Sequence, residues 1–401
     1  MSTSVSSECP NEPHDRLRGA PSSPTPAAKN DAFGTFGLAE NPFPAAGQTS
    51  GHPRLEDEAD NAIVDAIQAF EKGTHASQVI VLRGTQGVGK TNFLGAYESQ
   101  LRDLYKDDSR YFVTRYYADP EPAFDAVLRS VLSELGVPHL HKVASALQTM
   151  AQPERDNCLG LVRSVETRVM FRRLIGQVSG SEHFDLALEW LLGLRVLNRH
   201  REVLGISYRL YTVESWTQAL RDIVCLSARL GQLNGMYLLL DELEKQAGTL
   251  GKSHLIRYLF ALRALIDALP EYLFLVLAMT PSAFFYYNRL IPAFTSRLQT
   301  TIDIRPIGSE ESALALYKFY VDKGREADRV AEATRAAAEG RPIRAPGQTD
   351  PISVLDVGVL YRKLADKARG EGVEGGVLHR DFLHSLHAQY LDAVNRLSPA
   401  G

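Results

Sequence analysis

The chain has 401 residues, 44% of them hydrophobic and 23% charged, and a formal net charge of −4 at pH 7. This composition predicts a soluble globular protein of two or three domains, and the charge excludes a global basic field that would attract nucleic acid. No apolar run approaches the roughly 20 residues of a membrane span, and the N-terminus has no signal-peptide pattern. Three scattered cysteines without metal-ligand spacing fit a reducing compartment, so we expect a cytoplasmic protein.

The predicted elements begin after a polar N-terminal stretch. Residues 1–31 are rich in Ser, Pro, Asn and Glu, which predicts a disordered tail. Order is expected from Phe33, and a helix with apolar residues from Ala62 to Phe70 follows. Strands then alternate with helices, which predicts an α/β fold with a parallel sheet and helices on both faces. The expected strands are 78–83, 111–114, 236–240, 272–278 and 300–304, and the expected helices are 89–105, 121–135, 254–268 and 281–298.

Two regions depart from this alternation. Residues 137–231 have helical or irregular patterns, which predicts a helical insertion. Past Pro306 no strand pattern recurs, and helices are expected after Ser309 and near the C-terminus. We therefore predict a base domain over 32–307, with the insertion inside it, and a helical lid domain over 308–401.

The strongest motif is Gly84-Thr85-Gln86-Gly87-Val88-Gly89-Lys90-Thr91, here called the phosphate loop, which lies between an apolar strand and an amphipathic helix. Its glycines let successive backbone N–H groups turn inward around phosphate oxygens at the positive end of the helix. Lys90 is expected to reach the β- and γ-phosphates, and the Thr91 hydroxyl to bind Mg²⁺. The alternative is a glycine-rich turn that caps an ordinary helix. The placement favours a nucleotide-binding loop for ATP, to which we also assign the adjacent Asn92.

Adjacent carboxylates follow the apolar strand Leu238-Leu239-Leu240. Asp241 is expected to hold Mg²⁺ through water, and Glu242 to orient and deprotonate the attacking water. The alternative is a surface turn after a core strand, but the phosphate loop upstream favours the catalytic interpretation. Glu244, two residues further on, is interpreted as solvated.

Two further residues are candidates for nucleotide chemistry. Thr280 ends the next strand, at the sheet edge expected for Asp241, where its hydroxyl would position water or touch the γ-phosphate. A structural strand-end threonine is the alternative. Arg297 lies just before the last strand and would reach a neighbouring subunit's γ-phosphate, stabilising transition-state charge only on assembly. The alternative is an arginine near a helix C-terminus, a position that favours cations.

The insertion contains the local basic signal of the chain. Between Arg163 and Arg209 there are eight arginines, no lysine and five carboxylates. Arginines on helices near Phe171 and Trp190 would meet phosphate in a DNA contact, whereas solvated faces and intramolecular ion pairs are the alternatives. Trp190 itself is expected to pack the insertion onto the base domain.

The order of phosphate loop, Asp-Glu strand, Thr-ended strand, Ser296-Arg297-Leu298 and helical lid resembles the AAA+ ATPases. Within these it is similar to the initiator clade related to Orc/Cdc6. The segment Pro53 to Glu58 resembles the Arg-Glu stretch that packs near the adenine. The segment Gly375 to Leu383 resembles the Gly-x-x-Arg start of a lid helix. The last resemblance implies that Arg380 is the lid arginine that contacts the γ-phosphate.

A narrower resemblance lies in the middle of the chain. Segments 187–193, 204–206 and 235–242 resemble ATP-binding proteins of BREX-type phage-defence systems, the BrxD group. This resemblance implies a role in phage defence, with other defence-complex proteins as partners. His379 is a departure, because the phrase usual in that group has a proline there.

The leading hypothesis is an ATP-hydrolysing AAA+ motor or switch in a DNA-associated complex, with ATP and Mg²⁺ bound between base and lid and a homo-oligomeric assembly. One alternative is a nucleotide-dependent adaptor or loader for a transposase or helicase, because the segment from Phe36 to Phe43 also occurs in ATPases of that sort. Another is a STAND-like signalling switch. We expect such a switch to carry a long C-terminal sensor, and 21 residues follow Arg380.

Overall fold

The computed structural model describes residues 33–44, 57–73, 75–117, 124–246, 251–298, 300–340, 342, 349–373 and 375–397. The predicted N-terminal tail lies outside the described residues. So do residues 53–56 of the predicted Arg-Glu stretch.

Five parallel strands form one sheet with the spatial order β2-β3-β4-β1-β5, as the alternating pattern predicts. They are β1 (Gln78–Arg83), β2 (Tyr111–Tyr117), β3 (Gly235–Asp241), β4 (Leu273–Met279) and β5 (Thr300–Asp303). Every residue of β3 and β4 is buried. Such continuous apolar runs are typical of parallel strands that helices cover on both faces.

The helices of the described residues fall into three groups along the chain. The base helices are α1 (Asp57–Lys72), α2 (Lys90–Leu104), α8 (Lys252–Ala268), α9 (Pro281–Leu290) and α10 (Pro292–Thr295). Between β2 and β3 lie α3 (Phe124–Thr149), α4 (Gln152–Gly160), α5 (Val165–Leu174), α6 (Glu182–Leu191), a π-helical turn (His200–Leu204) and α7 (Val213–Arg229). The C-terminal helices are α11 (Glu310–Glu339), α12 (Val354–Gly370) and α13 (His379–Leu397).

Successive residues of β1 pack into different cores, because side chains alternate between the two faces of a strand. Val81 joins the larger core, which also holds Trp190 of the insertion, whereas Leu82 joins a core with Phe93 of α2. Trp190 is fully buried, and its indole N–H donates to the Tyr208 carbonyl at 2.9 Å. The insertion therefore shares one core with the sheet, which confirms the packing expected of Trp190.

Two predicted elements differ from the structure. The helix predicted over 281–298 is two short helices, because the backbone leaves helical geometry at Ile291 (φ −142°, ψ 80°), the residue before Pro292. The helix predicted over 121–135 ends where it was expected, because Gly136 has non-helical backbone (φ 64°, ψ −178°), and a second helical stretch continues from there to Thr149. Strand β2 runs three residues beyond its predicted end, and its register pairs Tyr117 with Asp241.

The C-terminal helices form a third core that also takes in the N-terminal segment 33–44. The Phe43 ring lies against Tyr317, Tyr320 and Tyr390, with centroid distances of 5.6, 5.8 and 5.2 Å. The Phe43 carbonyl oxygen also lies within hydrogen-bond distance, 2.9 Å, of the His387 Nδ1 atom. The segment that precedes the base helices thus packs on the lid helices rather than on the sheet. Among the described helices, none combines the length and apolar content that a membrane span needs.

Candidate nucleotide-binding site

Three strand ends bring the predicted site residues to one edge of the sheet. Strands β1, β3 and β4 are neighbours and parallel, so their carboxyl ends face the same side. Pairing continues past the strands, since the Gly84 N–H donates to the Met279 carbonyl at 3.2 Å and the Leu243 N–H to the Ala278 carbonyl at 3.0 Å. The phosphate loop, Asp241 and Thr280 therefore lie together, although 190 or so residues of chain separate the first from the last.

The phosphate loop has the backbone that its glycines predict. Gly87 has a φ of 86° and Gly89 a φ of 103°, conformations that side chains with a Cβ rarely adopt. Helix α2 begins directly after Gly89 and has no side-chain cap at its N-terminus. Its first N–H groups are therefore available to an anion. Asn92 is buried in the first turn of α2.

Lys90 is buried and turned back into the phosphate loop. Its Nζ atom donates to the Gly84 carbonyl at 2.8 Å and to the Thr85 carbonyl at 3.3 Å. The carboxylate of Glu244 lies 3.4 Å from the same Nζ. The interpretation of Glu244 as solvated is therefore wrong, because the chain after β3 folds back over the loop. The ammonium group thus has three oxygen neighbours for its three protons.

Thr91 and Asp241 form a pair of oxygen donors suited to magnesium. The Thr91 hydroxyl lies 3.4 Å from one carboxylate oxygen of Asp241, and that oxygen also accepts the Glu242 N–H at 2.9 Å. A hydroxyl and a carboxylate are the hard oxygen ligands that Mg²⁺ takes alongside phosphate oxygens and water. The donor set therefore fits the predicted ion. No group of three His, Cys, Asp or Glu side chains that could hold a metal occurs among the described residues.

The site also contains an arginine that sequence reasoning missed. One Arg115 terminal nitrogen lies 2.8 Å from the second carboxylate oxygen of Asp241 and donates to the Thr91 carbonyl at 2.6 Å. Both side chains are shielded from solvent, with 5% and 0% exposure. The guanidinium also lies over the Tyr117 ring at 4.6 Å. This ion pair fixes the orientation of the Asp241 carboxylate and supplies its counter-charge.

Glu242 stands in a left-handed turn directly after Asp241. Its φ is 54°, which is uncommon for a residue with a side chain. Its carboxylate is paired with the Lys245 ammonium, and this hydrogen bond is the main reason that the pKa of Lys245 is raised. The Glu242 side chain remains one-third exposed. It therefore lies at the mouth of the site, held by a surface lysine.

Thr280 ends its strand as a helix cap. Its hydroxyl accepts the Ala283 N–H at 3.3 Å and lies 3.1 Å from the Ser282 hydroxyl. Threonine at this position satisfies one of the free N–H groups at the start of α9. The structure thus places Thr280 at the predicted edge and also gives it the structural role that was its alternative.

The lid reaches the phosphate loop through Arg380. The Arg380 N–H donates to the Gly87 carbonyl at 3.1 Å, and its side chain packs so closely that a Cβ on Gly87 would lie 3.2 Å from the guanidinium carbon. The neighbouring His379 is buried, and burial lowers its pKa to about 4, so it is neutral at pH 7. The predicted lid arginine therefore lies against the loop that it was expected to serve.

Arg297 is not brought to this site in its own subunit. Its Nε donates to the Asp267 carboxylate at 2.7 Å. Asp267 precedes the start of β4, and Arg297 precedes the start of β5. Both residues therefore lie where strands begin, at the sheet edge opposite to the phosphate loop.

Neither a protein-family model nor a curated protein sequence matches the chain. Among solved structures, it is similar to the ORC2 protein of Aeropyrum pernix in ADPNP-ADP complexes, with 12% identity, 86% of this chain and 70% of that chain covered, and a TM-score of 0.38.

Two further solved structures are similar at the same level. The Aeropyrum pernix ORC1 protein in complex with DNA shares 14% identity, with 84% of this chain and 66% of that chain covered and a TM-score of 0.35. Cdc6p from Pyrobaculum aerophilum shares 15% identity over 86% of this chain and 85% of that chain, with a TM-score of 0.34. These values describe a distant and partial likeness.

We predict that Arg115→Met lowers the free energy of unfolding by about 3–5 kcal/mol, because it leaves the Asp241 carboxylate buried without its counter-charge. Added Mg²⁺ is expected to restore part of this loss, since a cation again faces the carboxylate. Denaturant unfolding with and without Mg²⁺ measures both effects.

The matched control is Arg83→Met, which breaks the partly exposed Arg83–Asp303 pair at 2.8 Å. This change is expected to cost about 0–1 kcal/mol, because water screens exposed pairs. Equal losses in the two variants would contradict the stabilising role of Arg115.

Proposed function

We propose that the protein binds and hydrolyses ATP, as a member of the AAA+ class with a helical lid. The observation that carries this proposal is the convergence of Lys90, Thr91 and Asp241 beside the uncapped N-terminus of α2. A buried ammonium, a hydroxyl, a buried carboxylate and free backbone N–H groups together match the needs of a magnesium-bound triphosphate.

The residues divide the work of hydrolysis between them. The phosphate loop and Lys90 would bind the phosphates, and Thr91 and Asp241 would hold Mg²⁺, which neutralises phosphate charge when bound. Glu242 would take the proton of the attacking water once it is released from Lys245. Arg380 would contact the γ-phosphate from the lid, since it already lies on the loop at Gly87. Thr280 would orient the water from the neighbouring strand end.

We predict that Glu242→Gln retains ATP binding but lowers turnover by at least about a hundredfold, because the amide cannot accept the proton. Lys90→Ala is expected to lose ATP binding itself. Fluorescent nucleotide titration and phosphate release measure the two properties separately. The control is Lys106→Ala, which removes an exposed lysine outside the site and should leave both unchanged. Full turnover in Glu242→Gln would show that another group is the base.

We also propose that the protein acts as a homo-oligomer in which Arg297 serves the neighbouring subunit's nucleotide. The support is its position at the edge opposite to its own phosphate loop and its partial exposure beside Asp267. An arginine there stabilises transition-state charge only when a second subunit supplies the phosphates.

Mixing two inactive variants tests this arrangement. Arg297→Ala keeps its own phosphate loop, and Lys90→Ala keeps its arginine, so mixed assemblies contain one complete interface. We predict that each variant alone is nearly inactive and that an equimolar mixture recovers a clear fraction of turnover. A mixture no more active than the separate variants would argue against action between subunits.

We further propose a role in a DNA-associated complex, and from the sequence resemblance to the BREX group a role in phage defence. Support for a DNA contact comes from the insertion surface, where Tyr208 and Tyr211 are 74% and 68% exposed on either side of exposed Arg209. Exposed arginines and aromatic rings are the side chains that meet phosphates and bases.

We predict that the triple variant Arg195→Ala, Arg201→Ala and Arg209→Ala weakens DNA binding. The slope of the logarithm of the binding constant against the logarithm of the salt concentration should become shallower by up to about three. The control removes three exposed lid arginines, Arg329, Arg369 and Arg396. Binding of duplex DNA and DNA-stimulated ATP turnover are measured between low and physiological salt. Turnover indifferent to DNA would favour the alternatives, an adaptor or loader for a transposase or helicase or a STAND-like switch that a partner activates.

A further inference from the structure

The segment after β3 carries a second carboxylate that faces the phosphate loop. Glu244 lies 3.4 Å from the Lys90 Nζ atom, and its side chain is 22% exposed. The other oxygen of the Glu244 carboxylate is buried and has no hydrogen-bond partner among the described residues. A carboxylate in this setting is held near the ammonium by charge attraction rather than by a network of its own.

The local backbone separates Glu244 from Glu242. The left-handed turn at Glu242 is closed by the Lys245 N–H, which donates to the Glu242 carbonyl at 2.9 Å. Within this turn the Glu242 side chain pairs with Lys245, whereas Glu244 pairs with Lys90. The two acidic side chains therefore form ion pairs with different lysines, and Glu244 is the one that contacts Lys90 of the phosphate loop.

Three oxygen atoms lie within 3.4 Å of the Lys90 Nζ atom, which carries three protons. Two of these atoms are carbonyls of the phosphate loop and the third belongs to Glu244. A phosphate oxygen that approaches Lys90 must therefore replace one of them. Of these three groups only the Glu244 carboxylate carries a negative charge. It therefore competes with the phosphate for the Lys90 ammonium and also repels the phosphate.

We infer that Glu244 is a positioning residue that competes with the terminal phosphate of the nucleotide for Lys90. This inference rests on the proposed ATP binding. The γ-phosphate adds negative charge at the position that Lys90 serves, so the competition disfavours the triphosphate more than the diphosphate. Glu244 therefore sets the ratio of ATP affinity to ADP affinity.

The test compares Kd values for ATP and ADP in the wild type and in Glu244→Gln. The substitution keeps the size of the side chain and removes its charge. We expect ATP to bind about fivefold more tightly or better, and ADP to change by less than about twofold. The gain should shrink at high salt, because screening weakens the repulsion that is removed. If the substitution acted only by disturbing the structure, it would change the Kd values for ATP and ADP equally.

Two further variants complete the experiment. Asp303→Asn removes one negative charge at the same sheet edge, from a carboxylate that pairs with Arg83 rather than Lys90, and is expected to leave both Kd values unchanged. Glu244→Asp keeps the charge but withdraws it from Lys90 by one methylene group, and is expected to raise ATP affinity by less than Glu244→Gln does.

The outcomes separate the inference from the function on which it rests. If the wild type binds ATP and Glu244→Gln binds it with equal or lower affinity while thermal unfolding is unchanged, Glu244 does not compete for Lys90. If Asp303→Asn gives the same gain, general charge explains the effect and the inference is overturned. A wild type that binds neither ATP nor ADP overturns the proposed function itself.

Discussion

The parallel pairing of three neighbouring strands is the constraint on which the site depends. Strand β4 lies between β1 and β3, and hydrogen bonds from Gly84 and Leu243 extend the pairing beyond the strand ends. A shift of one residue in either pair would move the phosphate loop away from Asp241 and reverse the faces of the strands. Because all three strands are buried on both faces, their apolar side chains resist such a shift, and the polar groups at their ends stay in place.

Within this frame the site balances its charges internally. Asp241 is paired with Arg115, Lys90 with Glu244, and Glu242 with Lys245. Buried charges need such partners because transfer from water is costly. In the proposed function, the ion pair with Arg115 would orient Asp241 for Mg²⁺, whereas Lys90 and Glu242 would have to leave their present partners to act on the nucleotide. Nucleotide binding in the proposed function therefore exchanges internal partners for phosphate and water.

The lid and the insertion contribute in different physical ways. The lid reaches the phosphate loop at Gly87, where the absence of a Cβ lets the Arg380 side chain pack against the backbone. The insertion packs into the same hydrophobic core as the sheet rather than forming a core of its own.

Much of the fold followed from local patterns. Alternating apolar strands and amphipathic helices predicted the parallel sheet, and Gly-rich spacing before a helix predicted the phosphate loop. The break at Ile291 was readable in principle, because a proline follows it, yet the apolar periodicity of the surrounding residues suggested one helix. Arg115 left no such signal. It lies in an apolar strand, and its partner Asp241 is 126 residues away in sequence.

The amino-acid sequence by itself determined the residue types of the site and the strands that carry them, since backbone conformation and helix or strand periodicity are local properties. The tertiary structure alone decided which charges meet: that Arg115 faces Asp241, that Glu244 rather than solvent faces Lys90, and that Arg297 lies at the opposite edge of the sheet. Those outcomes depend on register and on the path of the chain after β3, and contacts between distant segments are not encoded in any local pattern.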